Sequence, residues 1–247
     1  MFCLSVGEKN WSKILEVVEK NFHLTHLFEI RLDYLEDELT TTHISSFFEE
    51  IERLFKAGKV NPPKPSPQFI FTCRLPEEGG KRRIPEEERL KILSHCLKVG
   101  AYLVDLEWKA LKEHLRRAGK PPFPVERTLV SFHDFEATPS DRALKGLMKS
   151  MSKASVKLAK VVCFSEKPED GLRVLSLIPY GKRLGMEVIA FGMGERLSWT
   201  RIVSLILGSP FTYVSQSKGE GTAPGQLDIL SAKSLYEGLA QCIKFTE

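Results

Sequence analysis

A lysine and a histidine lie in two of the short apolar runs of this sequence. Lys157 lies in the run at residues 156–164, and His133 follows an apolar run and precedes Asp134. A lysine within a strand is costly unless it is paired or loses its proton, and a neutral amine can attack a carbonyl carbon. A histidine near a carboxylate can carry protons in general acid–base catalysis. The pattern suggests a nucleophilic amine opposite a proton carrier.

Each of these residues also has an ordinary structural interpretation. Lys157 could extend its amine from the strand end to solvent, and His133 could be a hydrogen-bonded residue of the core. Lys153 and Lys160 are nearby rivals to Lys157. Lys153 precedes the run, and we expect Lys160 on the opposite face of the strand because side chains alternate. Lys157 is therefore the candidate amine.

A repeating pattern of strands and helices could position these residues. β-rich runs occur at residues 2–6, 27–32, 69–73, 102–106, 128–132, 156–164, 187–191 and 211–214. Amphipathic helical patterns occur at residues 11–21, 44–55, 85–97, 108–118, 141–151, 168–177, 199–207 and 232–242. Eight such units in about 250 residues are typical of a closed parallel barrel. No G-x-G-x-x-G turn points to a doubly wound sheet. We predict an α/β fold, a single (β/α)8 TIM barrel over residues 1–247.

The composition excludes several classes of protein. The 247 residues include 36 Lys and Arg against 32 Asp and Glu, a net charge of +4 that is too small to indicate nucleic-acid binding. No apolar run is long enough to span a membrane, and the first residues do not resemble a signal peptide. Five widely spaced cysteines indicate a reducing compartment, and no metal-ligand spacing is present. We therefore expect a cytoplasmic protein that binds no nucleic acid, membrane or metal.

Polar residues gather at one end of the predicted strands. Barrel enzymes carry their chemistry at the carboxyl ends of the strands, where alternate side chains share a face. The residues at these ends are Ser5, Glu29, Arg31, Asp33, Arg74, Glu78, Asp105, Glu107 and His133, with Lys157 in the sixth strand. Edge strands can also alternate charges, but the same pattern at one end of six strands favours a site. The loop at residues 215–225 follows the last strand and is a candidate lid.

Five motifs, in order along the chain, resemble the type I 3-dehydroquinate dehydratase family. They are Phe28-Glu29-Ile30-Arg31-Leu32-Asp33, Phe71-Thr72-Cys73-Arg74 with Glu78-Gly79-Gly80, Ser131-Phe132-His133-Asp134-Phe135, Lys157-Leu158-Ala159 and Ala223-Pro224-Gly225-Gln226. The resemblance implies a shikimate-pathway lyase that converts 3-dehydroquinate to 3-dehydroshikimate without a cofactor. It implies that Lys157 forms an imine with the substrate ketone, that His133 is the general acid and base, and that Glu78 orients the histidine.

The resemblance also implies the groups that bind the substrate. Arg201 corresponds to the arginine that clamps the carboxylate, with Arg196 as a minor rival, and Asp33, Asp105 and Glu107 correspond to supporting residues that pair with arginines. The implied substrate-binding residues are Ser5, Glu29, Arg31, Arg74, Arg201, Thr222 and Gln226. The loop before Thr222 is about two residues longer than the family pattern. A homodimer is compatible with the resemblance, but no residue indicates one.

Three alternative hypotheses stay open on the sequence. Another Schiff-base-forming barrel lyase or aldolase would keep Lys157, but it would need a glycine-rich phosphate site after the last two strands. Only Gly192, Gly194 and the glycines of the 215–225 loop could supply it. The chain could be the dehydratase half of a protein fused to shikimate dehydrogenase. It could also be a barrel with a structural or regulatory function, against which the presence of His133, Lys157 and Glu78 argues.

Overall fold

Eight parallel strands form the centre of the molecule. The computed structural model describes residues 1–56 and 66–243. The strands are β1 (Phe2–Val6), β2 (Leu27–Arg31), β3 (Gln68–Thr72), β4 (Leu103–Glu107), β5 (Thr128–Asp134), β6 (Leu158–Phe164), β7 (Glu187–Met193) and β8 (Thr212–Val214). Strands β1 to β7 pair in sequence order, and β8 pairs with the other side of β1. The sheet therefore curls into a nearly closed barrel, which confirms the predicted fold class.

Helices follow the strands and surround the barrel. They are α1 (Trp11–Asn21), α2 (Thr41–Lys56), α3 (Glu86–Val99), α4 (Trp108–Ala118), α5 (Asp141–Lys153), α6 (Pro168–Leu175), α7 (Leu177–Arg183), α8 (Thr200–Ile206) and α9 (Ile229–Cys242). The helix predicted at 168–177 is two helices, α6 and α7. Pro179 has no N–H to donate to the carbonyl of Leu175, so the helical hydrogen bonds are interrupted there. No helix in the described residues is long and apolar enough to cross a membrane.

The two faces of each strand belong to different layers. On β6, Ala159, Val161 and Cys163 pack in the core between the sheet and the helices. Leu158 and Val162 belong to the cluster inside the barrel. The floor of the barrel is apolar and is formed by Cys3, Leu27, Ile70, Leu103, Leu129 and Leu158. Polar side chains above this floor are therefore held at the carboxyl ends of the strands.

Side chains close the barrel between β7 and β8. No backbone ladder joins these two strands in the part of the chain that the structure describes. The rings of Phe191 and Tyr213 lie 6.4 Å apart across the gap. The Ser209 hydroxyl donates a hydrogen bond to the carbonyl of Val188 at 2.9 Å. We call this junction the β7–β8 seam.

Candidate active site

A pocket of about 540 Å³ opens at the carboxyl ends of the strands. Eight residues predicted for the site line it, namely Glu29, Arg31, Arg74, Glu78, His133, Arg201, Thr222 and Gln226. Ser5 lies beside the lining, where its hydroxyl donates to the carboxylate of Glu29. Lys157 is the one predicted site residue that the structure places elsewhere.

The lysine in the pocket is Lys160, so the prediction of Lys157 is wrong. Lys157 precedes β6, its side chain is exposed, and its carbonyl accepts a hydrogen bond from the Glu187 N–H at 2.9 Å. Lys160 is only 6% exposed and lines the pocket. The chain leaves α5 through Ser155 at φ +60°, and β6 starts with Leu158 facing the interior. Lys160, two residues on, therefore faces inward, and its predicted placement on the outer face was also wrong.

The amine of Lys160 lies among both acidic and basic groups. Its Nζ is 3.8 Å from Oδ2 of Asp105, which is beyond hydrogen-bonding distance. Burial lowers the pKa of Lys160, the carboxylates of Glu29 and Asp105 oppose this, and the guanidinium groups of Arg74 and Arg31 add to it. The net effect is a pKa below the ordinary value, which favours the neutral, nucleophilic amine more than in water.

Glu78 fixes the orientation of His133. Its Oε2 accepts the backbone N–H of His133 at 3.1 Å and lies 3.0 Å from Nδ1 of the same residue. A carboxylate at Nδ1 favours the proton on that nitrogen and leaves Nε2 as the free base. Burial lowers the pKa of His133 well below 6.5, and Arg74, Lys160 and Arg31 lower it further. The imidazole is therefore neutral at pH 7 and can accept a proton.

Two glycines allow Glu78 to reach the histidine. Glu78 ends a single 3-10 turn, and Gly79 follows at φ +85°. A Cβ at Gly79 would lie 2.4 Å from Cζ of Phe135, and one at Gly80 would lie 1.9 Å from the carbonyl oxygen of Arg74. Burial raises the pKa of Glu78 to about 7, although Arg74 opposes the shift.

Arg74 is held in a buried ionic network beside the pocket. Its Nη2 lies 2.6 Å from Oδ2 of Asp105, and its Nη1 donates to Ser131 at 2.6 Å and Glu107 at 3.2 Å. Ser131 in turn donates to Asp105 at 2.6 Å. Burial alone would raise the pKa of Asp105, but Arg74 and Lys160 outweigh it and the pKa is lowered. Both terminal nitrogens of Arg74 thus already donate hydrogen bonds, three in all, so Arg74 stabilises the buried carboxylates as well as lining the pocket.

Sequence reasoning missed Arg89 of α3. This side chain is 1% exposed, and its Nη1 donates to Oε2 of Glu107 at 2.8 Å and to the carbonyl of Cys73 at 3.1 Å. Arginines of surface helices are usually exposed, and Glu86 three residues earlier suggests a surface ion pair. Arg89 in fact neutralises the side of Glu107 that faces away from Arg74.

Arg201 is a buried cation with no carboxylate partner among the described residues. Its Nε donates to the carbonyl of Gly225 at 3.1 Å and its Nη2 to that of Pro224 at 3.3 Å. Its guanidinium lies 4.3 Å from the ring centroid of Phe191. Burial lowers its pKa to about 10, so it stays charged at pH 7. The rival Arg196 is exposed and does not line the pocket.

The loop after β8 closes over the pocket and is held by β1 and β2. The hydroxyls of Ser5 and Thr222 lie 2.9 Å apart, and Tyr34, just after β2, donates its hydroxyl to the Thr222 carbonyl at 3.3 Å. Oε1 of Gln226 accepts the Thr222 N–H at 2.8 Å. The amide nitrogen of Gln226 is thereby left to face the pocket. We call the contacts of Thr222 with Ser5 and Tyr34 the lid latch.

A sequence model of the type I 3-dehydroquinase family matches residues 2–242. The chain belongs to this family. A relative named 3-dehydroquinate dehydratase, from Methanococcus maripaludis strain C5, is 32% identical over 240 residues, which cover 96% of this chain and 99% of the relative. The type I 3-dehydroquinase resemblance of the motifs is thereby confirmed.

Solved structures of proteins with the same name share the fold. That of 3-dehydroquinate dehydratase from Geobacillus kaustophilus superposes with a TM-score of 0.78 at 23% identity and covers 100% of this chain and 92% of its own. That of type I 3-dehydroquinate dehydratase from Clostridium difficile, with covalent modified comenic acid, has a TM-score of 0.76 at 21% identity and covers 98% and 92%. As a type I 3-dehydroquinase the chain is an enzyme, so a purely structural or regulatory barrel is ruled out.

Proposed function

We propose that this enzyme dehydrates 3-dehydroquinate to 3-dehydroshikimate in the shikimate pathway, through an imine on Lys160. One observation carries the proposal. A buried amine, 3.8 Å from its nearest carboxylate, shares a pocket with a neutral histidine, whose Nδ1 is held by Glu78. The same pocket holds the buried Arg201, which has no carboxylate partner in the part of the chain that the structure describes. Amine, proton carrier and anion site are the three groups that dehydration of a β-hydroxyketone bearing a carboxylate uses when it proceeds through an imine.

Lys160 acts first, as the nucleophile. Its neutral amine attacks the ketone carbon, and the carbinolamine takes up one proton from solvent and loses water to give the protonated imine. The later hydrolysis of the imine returns this proton. The positive charge of this iminium draws electrons from the adjacent carbon, which makes the hydrogen there acidic. Burial and the nearby arginines, which lower the pKa of Lys160, favour the neutral form needed for the attack.

His133 acts next, as base and then as acid. Nε2 removes the proton from the carbon next to the iminium, and the electrons form an enamine. The imidazolium that results is stabilised by Glu78 at Nδ1. The same proton then goes to the departing hydroxyl, which leaves as water, and a second water molecule hydrolyses the imine. The net change is the loss of one water molecule from the substrate.

The remaining residues hold the substrate. Arg201 offers a buried positive charge for the carboxylate, since its Nε and Nη2 donate to the neutral carbonyls of Gly225 and Pro224. Glu29 and Arg31 offer an acceptor and donors for hydroxyl groups, and Gln226 offers its amide nitrogen. Thr222 closes the loop over these groups through the lid latch.

A barrel aldolase that acts on a phosphorylated sugar is the less favoured function. The end of the pocket near β7 and β8 presents Phe191, Met193 and Tyr213, together with Arg201 and the amine of Lys160. An apolar wall of this kind suits a carbon ring better than a phosphate, which is commonly bound by backbone amides at that place in such barrels.

Reductive trapping tests the proposal. The protein is incubated with 3-dehydroquinate and sodium borohydride, and the modified peptide is mapped by mass spectrometry. We expect the adduct on Lys160, its loss in Lys160→Met, and its persistence in Lys157→Met, a matched control three residues away that is exposed. An active enzyme without an adduct, or an adduct on Lys157, would refute the assignment.

A cytoplasmic location and a homodimer stay predictions. Light scattering of the purified protein at several concentrations measures the oligomeric state directly.

A further inference from the structure

Tyr213 of β8 lies beneath the amine of Lys160. The Nζ is 3.9 Å from the centroid of the tyrosine ring, and the tyrosine is only 3% exposed. We propose that the ring of Tyr213 is a positioning element for this amine, which it holds at the pocket floor and stabilises in its cationic forms. The inference deepens the proposed function, because the cationic forms of interest are the ammonium of the free enzyme and the iminium.

A ring face satisfies a buried amine without immobilising it. The face of an aromatic ring is electronegative and attracts a cation within about 6 Å of its centroid. It accepts no proton and makes no directed ion pair, so the amine stays free to attack. The alternative contact, with Asp105, is 3.8 Å long. The ring of Tyr213, with its centroid 3.9 Å from the amine, is therefore about as near as the carboxylate and helps to compensate for placing this cation out of water.

A second cation lies on an aromatic ring at the β7–β8 seam. Arg201 lies over the ring of Phe191, the residue that faces Tyr213 across the β7–β8 seam. Each of the two pocket cations on this side therefore lies on an aromatic face. Arg31 and Arg74, on the other side of the pocket, have carboxylate partners, and Arg31 also lies 4.8 Å from the centroid of the Tyr34 ring.

The ring, and not the hydroxyl, accounts for the contact. The hydroxyl of Tyr213 is buried and has no hydrogen-bond partner among residues 1–56 and 66–243. An unpaired buried hydroxyl is destabilising, so it does not explain the placement of the side chain. Burial also raises the pKa of Tyr213 well above 10, so the group is a neutral phenol and not an anion. Replacement by phenylalanine therefore separates the two parts of the side chain.

The charged groups around the amine of Lys160 are the same in the wild type and in every variant of residue 213. Glu29 of β2 and Asp105 of β4 favour the ammonium, whereas Arg31 and Arg74 disfavour it. His133 of β5 also titrates in the pocket and is influenced by Lys160. None of these groups changes in variants of residue 213, so a shift measured at Lys160 reports the ring.

The test is the pKa of Lys160, measured from its rate of amidination by methyl acetimidate between pH 6 and 11, with the modified lysine identified by mass spectrometry. We expect Tyr213→Phe to keep the pKa within a few tenths of a unit. Tyr213→Leu should lower it by about one unit, as the strength of a buried cation–π contact implies. The matched control is Phe211→Leu. That ring packs against Tyr213 from 5.6 Å, and its loss should leave the pKa of Lys160 in place.

A second substitution protects the test against misfolding. Pentafluorophenylalanine at position 213 keeps the shape of the ring and reverses the sign of its face, so it should lower the pKa at least as much as leucine does. Equal pKa values in the phenylalanine, leucine and pentafluorophenylalanine proteins would overturn the inference. Borohydride trapping on the same proteins keeps the two claims apart. A pKa shift without any adduct in the wild type would refute the imine and leave the contact between ring and ammonium standing.

Discussion

Glu78→Gln should remove a pH dependence of stability whose direction and magnitude follow from the pKa of Glu78. The folded state raises the pKa of Glu78 to about 7 from 4.5, mainly through burial. The folded protein therefore binds more protons than the unfolded chain between these two values, and its stability falls as the pH rises through that window. At 1.36 kcal/mol for each pKa unit, the carboxylate costs about 3 kcal/mol above pH 7. A glutamine carries no charge and avoids this cost.

The assay is urea unfolding of both proteins at several pH values from 4.5 to 8. The free energy of unfolding of Glu78→Gln, relative to that of the wild type, should rise by about 3 kcal/mol across this range. His133 is present in both proteins, so its own titration largely cancels. Glu77→Gln is the matched control, because Glu77 is about half exposed and pairs with Arg83. It should show no comparable rise.

Catalysis should respond in the opposite direction. The amide oxygen of a glutamine can still accept from Nδ1 of His133, but it cannot stabilise the imidazolium by charge. We expect kcat to fall roughly 10- to 100-fold at pH 8, as for other residues that orient a functional histidine. The same pH dependence of unfolding in the wild type and in Glu78→Gln would refute the view that the buried carboxylate of Glu78 lowers stability and serves catalysis.

Three further changes have distinct expected outcomes. Lys160→Met should raise the free energy of unfolding at pH 7, because the folded state lowers the pKa of the lysine. This gain should shrink as the pH approaches 10.5. A constant gain in urea unfolding at pH 7, 8.5 and 10 would contradict this. Arg201→Gln should raise KM roughly 10- to 100-fold, the loss of a charged hydrogen bond, and steady-state kinetics with an unchanged KM would exclude the carboxylate clamp. Gly7→Ala would place a Cβ 2.8 Å from Thr222 and 2.9 Å from Tyr34, so it should loosen the lid latch. Tryptic cleavage at the exposed Lys218 of the loop should then rise about fivefold for each kcal/mol lost, whereas Gly146→Ala, whose Cβ would meet nothing within 4 Å, should leave it unchanged.

Most of the architecture could be predicted because each element carries its own local signal. The predicted bounds of β1, α1 and α4 coincide with those in the structure. Asn10, Ser140 and Asp228 cap α1, α5 and α9 by accepting a backbone N–H three residues on, which is a sequence-local interaction. The strand ends also located the polar residues, since closure of a barrel brings those ends together whatever the details of packing.

The choice between Lys157 and Lys160 needed information that the local pattern lacks. A strand of a parallel barrel is buried on both faces, so both faces of β6 are apolar and alternation does not show which one is inside. The direction is set where the chain leaves α5 through Ser155. Register could have helped, because Lys160 pairs with Ser131, two residues before His133, on the neighbouring strand. Because His133 pairs with Val162, this register places Lys160 two residues below the level of the histidine and Lys157 five residues below it.

The β7–β8 seam places the catalytic cations beside the one junction where the described strands share no ladder. Phe191 and Tyr213, which close that junction by contact, are also the rings on which Arg201 and Lys160 lie. Separation of β7 from β8 would therefore displace both Arg201 and Lys160 while the surrounding helices stay intact. On gradual warming, turnover should be lost at a lower temperature than the far-ultraviolet circular dichroism of the helices, and the loss should reverse on cooling. We therefore expect the aromatic joint that completes the wall of the barrel to set the upper temperature of activity as well.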